Sequence, residues 1–319
     1  MKNRKQIAIL NTGYESYDYE VELFARHGFE LIVYDGPVNE RSLKYAFASK
    51  ATGILVRELL IDAEALACMP NLKAIVRYGV GYDNIDVDAA RKKNVRVANV
   101  QGYGNHSVSD HALALMYALT RDLEGSRKGA FSKPSRTDVF ELHNKTLGII
   151  GLGRIGSQFS KKASPLFHQT IAYDPYKSEE YIQSHGAIKV DLPELFTRSH
   201  VISLHCNLTG ETLHILNENA FDQMKQKPVI LNTSRGAVIH EKSLLAALNS
   251  GVLHSAGLDV FEQEPPGKEQ LPLLDHPHVV HTPHVAWYSD ESIQILQTRA
   301  ADNIIGLLTG KPVEDELYA

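Results

Sequence analysis

Short apolar runs rich in β-branched residues alternate with amphipathic segments in the first part of the chain. The runs QIAIL, ELIVYD, TGILVR, LKAIVRYG and VRVANV have the length and composition of strands, and helix-like segments such as AEALACMP and DVDAARKKN separate them. Strands that alternate with helices usually pair in parallel, with the helices covering the sheet. This part of the chain therefore predicts a parallel α/β sheet.

A second alternating series follows. It begins at KTLGIIGLGRIG and continues through TIAYD, VISLHC, PVILNTSRG, HSAGLDVF and HVVHTPH. Before it, the segment HSVSDHALALMYALTRDLEGSRKG predicts one long helix, with Ser107 or Ser109 as its cap and Gly125 at its end. After it, SDESIQILQTRAADNIIGLL predicts a single amphipathic helix. We therefore expect two Rossmann-like, doubly wound parallel-sheet domains, with the terminal helix able to cross back to the first.

Length and composition limit the possible functions. The 319 residues suit two domains, and a formal net charge of −5 gives no electrostatic reason to bind nucleic acid or an anionic membrane. The two cysteines, Cys68 and Cys206, do not form a C-x-x-C motif, which fits a reducing compartment. The apolar run IAIL near the start is too short for a signal peptide. We expect a cytoplasmic protein without nucleic-acid or membrane partners.

A glycine-rich turn gives the strongest local signal. GLGRIG, with Gly151, Gly153 and Gly156, directly follows the apolar run TLGII and opens a predicted helix. In that context the first glycine permits a tight turn, the second lets a pyrophosphate approach the backbone, and the third lets helix and strand pack closely. The turn predicts a dinucleotide site.

The next predicted strand ends in an acid, Asp174 of TIAYD, at the distance expected for a carboxylate that binds ribose hydroxyls. Such a carboxylate repels a 2′-phosphate, and no arginine follows in DPYKSEE. NAD is therefore favoured over NADP, although Lys177 leaves the choice open.

Three polar residues follow later strands of the second series, where the ligand of an open α/β sheet lies. They are Arg235 after PVILN, Glu264 after GLDVF and His284 after HVVHT. A protonated His284 suits a general acid, Glu264 suits its orienting carboxylate, and Arg235 suits a planar anion. Glu262 is a competing carboxylate, two residues before Glu264.

These motifs together resemble the NAD-dependent D-isomer-specific 2-hydroxyacid dehydrogenases. The resemblance rests on GVGYDNID, GLGRIG, LNTSRG, LDVFEQEP and TPHVAW, in the family's order over nearly the whole chain. It implies that NADH reduces a 2-keto acid to a D-2-hydroxy acid. It also implies a substrate domain of residues 1–100 plus 287–319, an NAD-binding domain of residues 101–286, and a homodimer paired through the NAD-binding domains.

The resemblance assigns the catalytic roles to Arg235, Glu264 and His284, and prefers Glu264 over Glu262 because the family's acid directly precedes the proline. The other histidines of HPHVVHTPHVAW are then expected to cap, pack or contact solvent; they are His276, His278 and His281. Two of them are three apart on a predicted strand and no thiolate is near, so no metal site is expected.

Further contacts carry over by motif. Backbone amides of Val80 and Gly81 are expected to hold the substrate carboxylate. Arg57 and Arg77 end neighbouring predicted strands, which suggests a second anionic group on the substrate, although salt bridges at the sheet's end explain them equally well. The remaining expected cofactor contacts are Arg154, Ile155, Cys206, Asn207, Thr212, Thr233 and Asp259.

The only tryptophan, Trp287, leaves alternatives open. With ISLHCNL it resembles the C-terminal binding protein branch of the family, and it is expected to line the substrate pocket and narrow it. The second function considered is therefore an NAD-sensing scaffold with weak or no activity. Formate or phosphite oxidation is disfavoured, because the former expects glutamine at Glu264 and the latter lysine at Arg77. The sequence does not identify the keto acid.

Overall fold

The computed structural model describes residues 4–10, 13–128 and 138–317. The chain divides into two compact units, and each is described separately below. The first contains Met1–Tyr103 and Ser289–Ala319, and the second contains Gly104–Tyr288. Within the described residues no helix is both long and apolar enough to cross a bilayer.

The first unit contains a parallel sheet that has five strands in its described residues, in the order β2-β1-β3-β4-β5. The strands are β1 Lys5–Ile9, β2 Phe29–Val33, β3 Ala51–Val56, β4 Ala74–Arg77 and β5 Arg96–Ala98. The helices, numbered along the whole chain, are α1 Asp18–Arg26, α2 Arg41–Phe47, α3 Ala63–Cys68, α4 Val87–Lys92 and α13 Asp290–Thr309. Order along the sheet changes direction between β1 and β3, as in a doubly wound fold.

The terminal helix α13 belongs to this first unit. Its start is fixed by a capping box, in which Ser289 and Ser292 satisfy each other's backbone amides. It packs on β3, where a Cβ added to Gly53 would lie 3.1 Å from the Leu308 side chain. The amphipathic helix predicted from SDESIQILQTRAADNIIGLL is thus confirmed, and glycine at position 53 permits its close approach to the sheet.

The second unit contains a parallel sheet that has seven strands in its described residues, in the order β12-β11-β10-β9-β6-β7-β8. The strands are β6 Thr146–Ile150, β7 Gln169–Tyr173, β8 Ile188–Lys189, β9 Val201–Leu204, β10 Val229–Asn232, β11 Ser255–Leu258 and β12 Val279–His281. The helices are α5 Asn105–Thr120, α6 Leu123–Lys128, α7 Arg154–Ala163, α8 Glu179–Ser184, α9 Leu192–Arg198, α10 Glu218–Asp222, α11 Glu241–Asn249 and α12 Leu271–Leu274. The predicted fold class, two parallel doubly wound sheets covered by helices, is confirmed.

The predicted ends of the long helix are wrong. Gly104 is the residue that precedes α5, and Ser107 and Ser109 lie inside its first turns. Ser109 Oγ donates to the His106 carbonyl at 2.9 Å, so its hydroxyl is satisfied within the helix. The helix stops before Asp122, whose φ of +48° is left-handed, and Gly125 lies inside the next helix, α6.

Candidate active site

The carboxyl ends of six strands of the second unit lie in one row. In the strand registers Ile150 pairs with Tyr173 on one side and Leu204 on the other, and the row continues through Asn232, Leu258 and His281. The residues that follow this row include most of the site positions predicted from sequence: Gly151, Asp174, Cys206, Thr233, Arg235, Asp259 and His284. Parallel pairing therefore brings them to one edge of a single sheet.

The three glycines of the turn after β6 have different surroundings. Gly151 has a φ of +88°, and a Cβ there would lie 2.7 Å from the Cys206 backbone nitrogen. A Cβ on Gly156 would lie 2.1 Å from the Gly151 carbonyl oxygen, whereas a Cβ on Gly153 would meet nothing within 4 Å. The turn is thus tight at one glycine, packed at another and open at the third, as a dinucleotide pyrophosphate requires.

The start of α7 adds to this fit. Gly153 occupies the N-cap position and offers no side-chain acceptor, so the amides of Arg154 and Ile155 at the first positions have no cap. Uncapped amides at a helix start, together with the helix dipole, attract a phosphate group. The residues around the glycine turn could therefore hold a dinucleotide at its phosphates.

Asp174, directly after β7, is 7% exposed. Its Oδ2 accepts from the Leu152 amide at 2.8 Å and its Oδ1 from the Tyr176 amide at 3.0 Å. These bonds fix the carboxylate beside the glycine turn. In the sequence, Lys177 left the choice between NAD and NADP open. In the structure its ammonium lies 4.8 Å from the centroid of the Tyr181 ring.

The loop after β9 carries Cys206, Asn207 and Thr212. Burial raises the pKa of the Cys206 thiol to about 11, so it stays protonated and is a poor nucleophile. Thr212 Oγ1 donates to the Asn207 carbonyl at 2.6 Å and accepts from the Thr209 amide at 2.8 Å. The structure thus gives Thr212 a loop-bracing contact, and the predicted cofactor contacts of this loop stay predictions.

The loop after β10 places Arg235. The Asn232 side chain spans this loop: its Nδ2 donates to the Arg235 carbonyl at 2.9 Å and its Oδ1 accepts from the Ser234 amide at 3.0 Å. The buried hydroxyl of Thr233 has no hydrogen-bond partner among the residues that the structure describes. A buried, unsatisfied hydroxyl is unfavourable unless a ligand or water completes it, which suits a cofactor contact.

His284 and Glu264 are brought together at the end of the row. His284 Nδ1 and Glu264 Oε2 are 2.6 Å apart, and Glu264 Oε1 accepts from the Phe261 amide at 3.0 Å. Burial acts to raise the pKa of Glu264, but its hydrogen bond to His284, the charges of His284 and Arg235 and the Phe261 amide outweigh burial and lower that pKa. The carboxylate is therefore ionised and oriented toward the imidazole.

Asp259 holds the loop of His284 in place through hydrogen bonds. This aspartate is 1% exposed and accepts from the amides of Val285 at 2.9 Å and Ala286 at 3.0 Å. Its backbone carbonyl accepts from the His284 amide at 2.8 Å. His284 itself has a left-handed φ of +54°, an uncommon conformation that surrounding contacts must maintain. The contact predicted for Asp259 toward the cofactor stays a prediction beside this supporting role.

Two supporting residues were missed in the sequence. Thr282 Oγ1 donates to Asp259 Oδ1 at 2.5 Å, and His111 Nε2 lies 2.9 Å from Thr282 Oγ1. This chain of contacts joins α5 to the His284 loop. The signal available was a histidine inside the apolar stretch HALALM, which alone does not tell packing from function.

Glu262 has its own partners. Its Oε1 lies 3.0 Å from His214 Nε2 and accepts from the Glu241 amide at 3.2 Å, while the Glu262 amide donates to Glu241 Oε1 at 2.7 Å. This reciprocal exchange ties the loop before Glu264 to the start of α11. The structure therefore pairs Glu262 with His214 and Glu264 with His284.

The aromatic and histidine neighbours of His284 pack locally. Trp287 Nε1 donates to the His284 carbonyl at 2.9 Å. His278 Nδ1 lies 2.9 Å from the His254 carbonyl, His276 and His278 stack edge to face, and His281 stacks against Phe261. Among the described residues, no group of three or more His, Cys, Asp or Glu side chains is placed to hold a metal ion.

The remaining predicted residues lie in the first unit, at the carboxyl ends of its strands. Arg57 Nε lies 3.0 Å from Glu58 Oε1, and Arg77 Nη1 donates to the Tyr78 carbonyl at 2.7 Å. Val80 and Gly81 follow Gly79, whose φ is +129°. The Val80 carbonyl accepts from Asn99 Nδ2 at 2.6 Å, which holds the turn in place. Their contacts with substrate stay predictions.

The chain is similar to proteins of one known family. The family model of the D-isomer specific 2-hydroxyacid dehydrogenase, NAD binding domain, matches residues 111–286. A glyoxylate reductase of Korarchaeum cryptofilum is 37% identical over 259 residues, which are 79% of this chain and 77% of that protein. A D-3-phosphoglycerate dehydrogenase of Archaeoglobus fulgidus is 34% identical over 92% of this chain, but the chain spans only 56% of its length.

A solved structure resembles the whole chain. The D-lactate dehydrogenase from Aquifex aeolicus, complexed with NAD and lactic acid, has a TM-score of 0.86 at 28% sequence identity. The alignment covers 99% of both chains.

Proposed function

Because the chain belongs to the D-isomer-specific 2-hydroxyacid dehydrogenase family and contains its NAD-binding domain, we propose that it reduces a 2-keto acid to a D-2-hydroxy acid, and catalyses the reverse reaction. The observation that carries the proposal is the 2.6 Å contact between His284 Nδ1 and Glu264 Oε2. A general acid needs a carboxylate that favours its charged form and fixes its orientation. The pair supplies both, at the same sheet edge as the glycine turn.

In the proposed mechanism NADH supplies the hydride that reduces the carbonyl carbon. With Nδ1 held by Glu264, His284 presents Nε2 as the atom that gives a proton to the carbonyl oxygen while the alkoxide forms. In the oxidation direction the same nitrogen takes the proton back. The hydrogen bonds between Asp259 and this loop limit movement of the imidazole. This matters because a general acid must lie within hydrogen-bond distance of the atom that it protonates.

Arg235 completes the proposed trio. Its guanidinium charge acts on Glu264, which supports a position close to the acid–base pair. A guanidinium binds carboxylates through paired N–H groups, and its charge polarises a nearby carbonyl. We therefore assign Arg235 to the 2-keto acid group itself.

The substrate is a small 2-keto acid or the corresponding 2-hydroxy acid. Relatives are named for glyoxylate, glycerate and D-3-phosphoglycerate, and the similar solved enzyme for lactate. These names support the reaction class. They also support a preference for one of these acids as the substrate.

The first test is a turnover assay. NADH absorbance is followed with glyoxylate, hydroxypyruvate, its phosphate, pyruvate and bulkier aliphatic or aromatic keto acids, with NADPH in parallel. We expect NADH-dependent turnover of at least one acid. If no acid were turned over although NADH still bound, the result would contradict the proposal and favour an NAD-sensing scaffold.

Glu264→Gln is expected to change the pH dependence of turnover. The lowered pKa of Glu264 means that its charge is present above the ordinary carboxyl range and is lost as pH falls through the folded-state value. Glutamine has no carboxylate to titrate, so the variant should lose the decline of reduction on the acid side of the profile and keep a lower, flatter rate. The measurement is kcat/KM against pH, with Glu262→Gln as the matched control. An unchanged profile would contradict this role.

Arg57→Ala tests the proposed second charge of the substrate. Loss of a guanidinium that binds an outer anionic group should raise KM for hydroxypyruvate phosphate about tenfold, since hydrogen bonds to charged groups contribute about 1.5–3 kcal/mol. KM for glyoxylate, which has no such group, should stay within about twofold. Equal effects on both acids would assign Arg57 to its ion pair with Glu58.

We propose a cytoplasmic homodimer paired through the second unit. Both cysteines, Cys68 and Cys206, are free thiols, which fits a reducing compartment. Tyr117 and Leu123 of the second unit are 38% and 54% exposed, and a dimer interface that includes them would cover their apolar side chains. Light scattering of the purified chain decides between monomer and dimer.

A further inference from the structure

Two loops of the second unit flank the glycine turn. Ile150, the last residue of β6, pairs with Tyr173 of β7 on one side and with Leu204 of β9 on the other. The loops that leave β7 and β9 therefore start at the same edge, on either side of the turn. The sheet changes direction here, and in doubly wound folds the dinucleotide lies in the crevice at this point.

A side-chain hydrogen bond joins these two loops. Tyr176 Oη donates to Glu211 Oε2 at 2.8 Å, although the residues are 35 positions apart. The hydrogen bond with Glu211, followed by that residue's charge, raises the pKa of Tyr176, and Asp174 acts in the same direction. Tyr176, Glu211 and Asp174 therefore belong to one electrostatic neighbourhood.

Both ends of this bridge are held by backbone contacts. The Tyr176 amide donates to Asp174 Oδ1 at 3.0 Å, so the tyrosine is fixed relative to the carboxylate beside the glycine turn. Glu211 lies in the loop braced by Thr212, whose hydroxyl bonds to Asn207 and Thr209. The Tyr176 side chain is 79% exposed, so packing does not explain its position.

We propose that the Tyr176–Glu211 bridge closes over the adenosine half of the bound cofactor and selects against the 2′-phosphate of NADP. The tyrosine ring supplies a flat face for adenine, since aromatic side chains stack on bases of any kind. The Glu211 carboxylate adds a second negative charge to that of Asp174. A 2′-phosphate then faces two carboxylates, whereas the free ribose hydroxyl of NAD meets only hydrogen-bond acceptors.

This proposal goes beyond a single ribose-binding acid. The Lys177 ammonium, the nearest cation in the sequence, lies over the Tyr181 ring. Discrimination between the cofactors is therefore shared between the buried Asp174 and the exposed Glu211. Because Glu211 is exposed, its contribution should weaken with added salt.

The role of the Glu211 charge is tested by measuring cofactor binding alone. Dissociation constants of NADH and NADPH are measured from nucleotide fluorescence at low and high salt, without keto acid. Glu211→Gln should tighten NADPH about threefold to fivefold, as expected for an exposed charge facing a dianion, and leave NADH within about twofold. Glu211→Lys should extend the change in the same direction. Glu218→Gln, an exposed glutamate at the start of α10, controls for net charge.

The ring is tested with two variants. Tyr176→Ala should weaken both cofactors about tenfold with their ratio unchanged, because stacking on an aromatic ring contributes about 1–3 kcal/mol per base. Tyr176→Phe keeps the ring and removes the bridge, so it should increase the dissociation rates of both cofactors about twofold to threefold. Thermal unfolding of both should match the wild type.

Each outcome decides part of the proposal. An NADPH-to-NADH ratio unchanged in both Glu211 variants would overturn the selection, and wild-type affinity in Tyr176→Ala would overturn the closure. The proposal rests on NAD binding and not on keto-acid reduction. If the chain turned over no keto acid, the binding results would stand.

Discussion

His284→Asn is expected to lower kcat for keto-acid reduction by about a thousandfold, because positioned acid–base groups contribute about 10²–10⁴-fold. Asparagine is the appropriate replacement. It tolerates the left-handed φ of +54° at this position, so the loop can keep its conformation while the proton donor is lost. NADH affinity should stay within about twofold, since the imidazole is assigned to proton transfer.

The measurement combines steady-state kinetics with a fluorescence titration of NADH. His281→Asn is the matched control: His281 ends β12, is exposed and lies three residues away. It should retain most of the wild-type kcat. A His284→Asn enzyme with more than about a tenth of wild-type kcat would refute the acid–base assignment, and loss of NADH binding would point to a collapsed loop.

The fold class follows from local pattern because alternating strands and helices restrict the chain to parallel sheets. The ends of α5 do not. A serine near a helix start resembles a cap, but Ser109 bonds back to the His106 carbonyl inside the helix. The termination at Asp122 uses a left-handed residue other than glycine, and that conformation depends on contacts outside the segment. Competition between local and tertiary contacts decides such boundaries.

Some residues of the candidate site could likewise be predicted from the sequence, and others could not. The glycine turn, Asp174 and the polar residues after each strand are visible because strand ends define the edge where ligands lie. The contact between His111 and Thr282 joins residues 171 positions apart, so periodicity and motif give no sign of it. The partners of Glu262 are equally non-local, since His214 lies in another loop and Glu241 begins α11. The sequence therefore indicated the acidic and basic residues of the site, but not the residues that hold them in position.

Gly151→Ala is expected to lower the free energy of unfolding by about 2–5 kcal/mol. The left-handed φ of +88° costs about 1–2 kcal/mol for an L-residue, and the added Cβ would lie 2.7 Å from the Cys206 backbone nitrogen. Backbone cannot move aside as a side chain does, so overpacking adds about 1–3 kcal/mol. Chemical denaturation followed by circular dichroism measures the change.

Gly153→Ala separates stability from binding at the same turn. Gly153 has a φ of −75°, which any residue adopts, and a Cβ there would meet nothing within 4 Å. The variant should unfold within about 0.5 kcal/mol of wild type. Its NADH affinity should nevertheless fall about tenfold to a hundredfold, because the methyl group would occupy space that the pyrophosphate needs. If Gly153→Ala bound NADH normally, the pyrophosphate would not approach the backbone at this glycine, and the open space beside it would need another explanation.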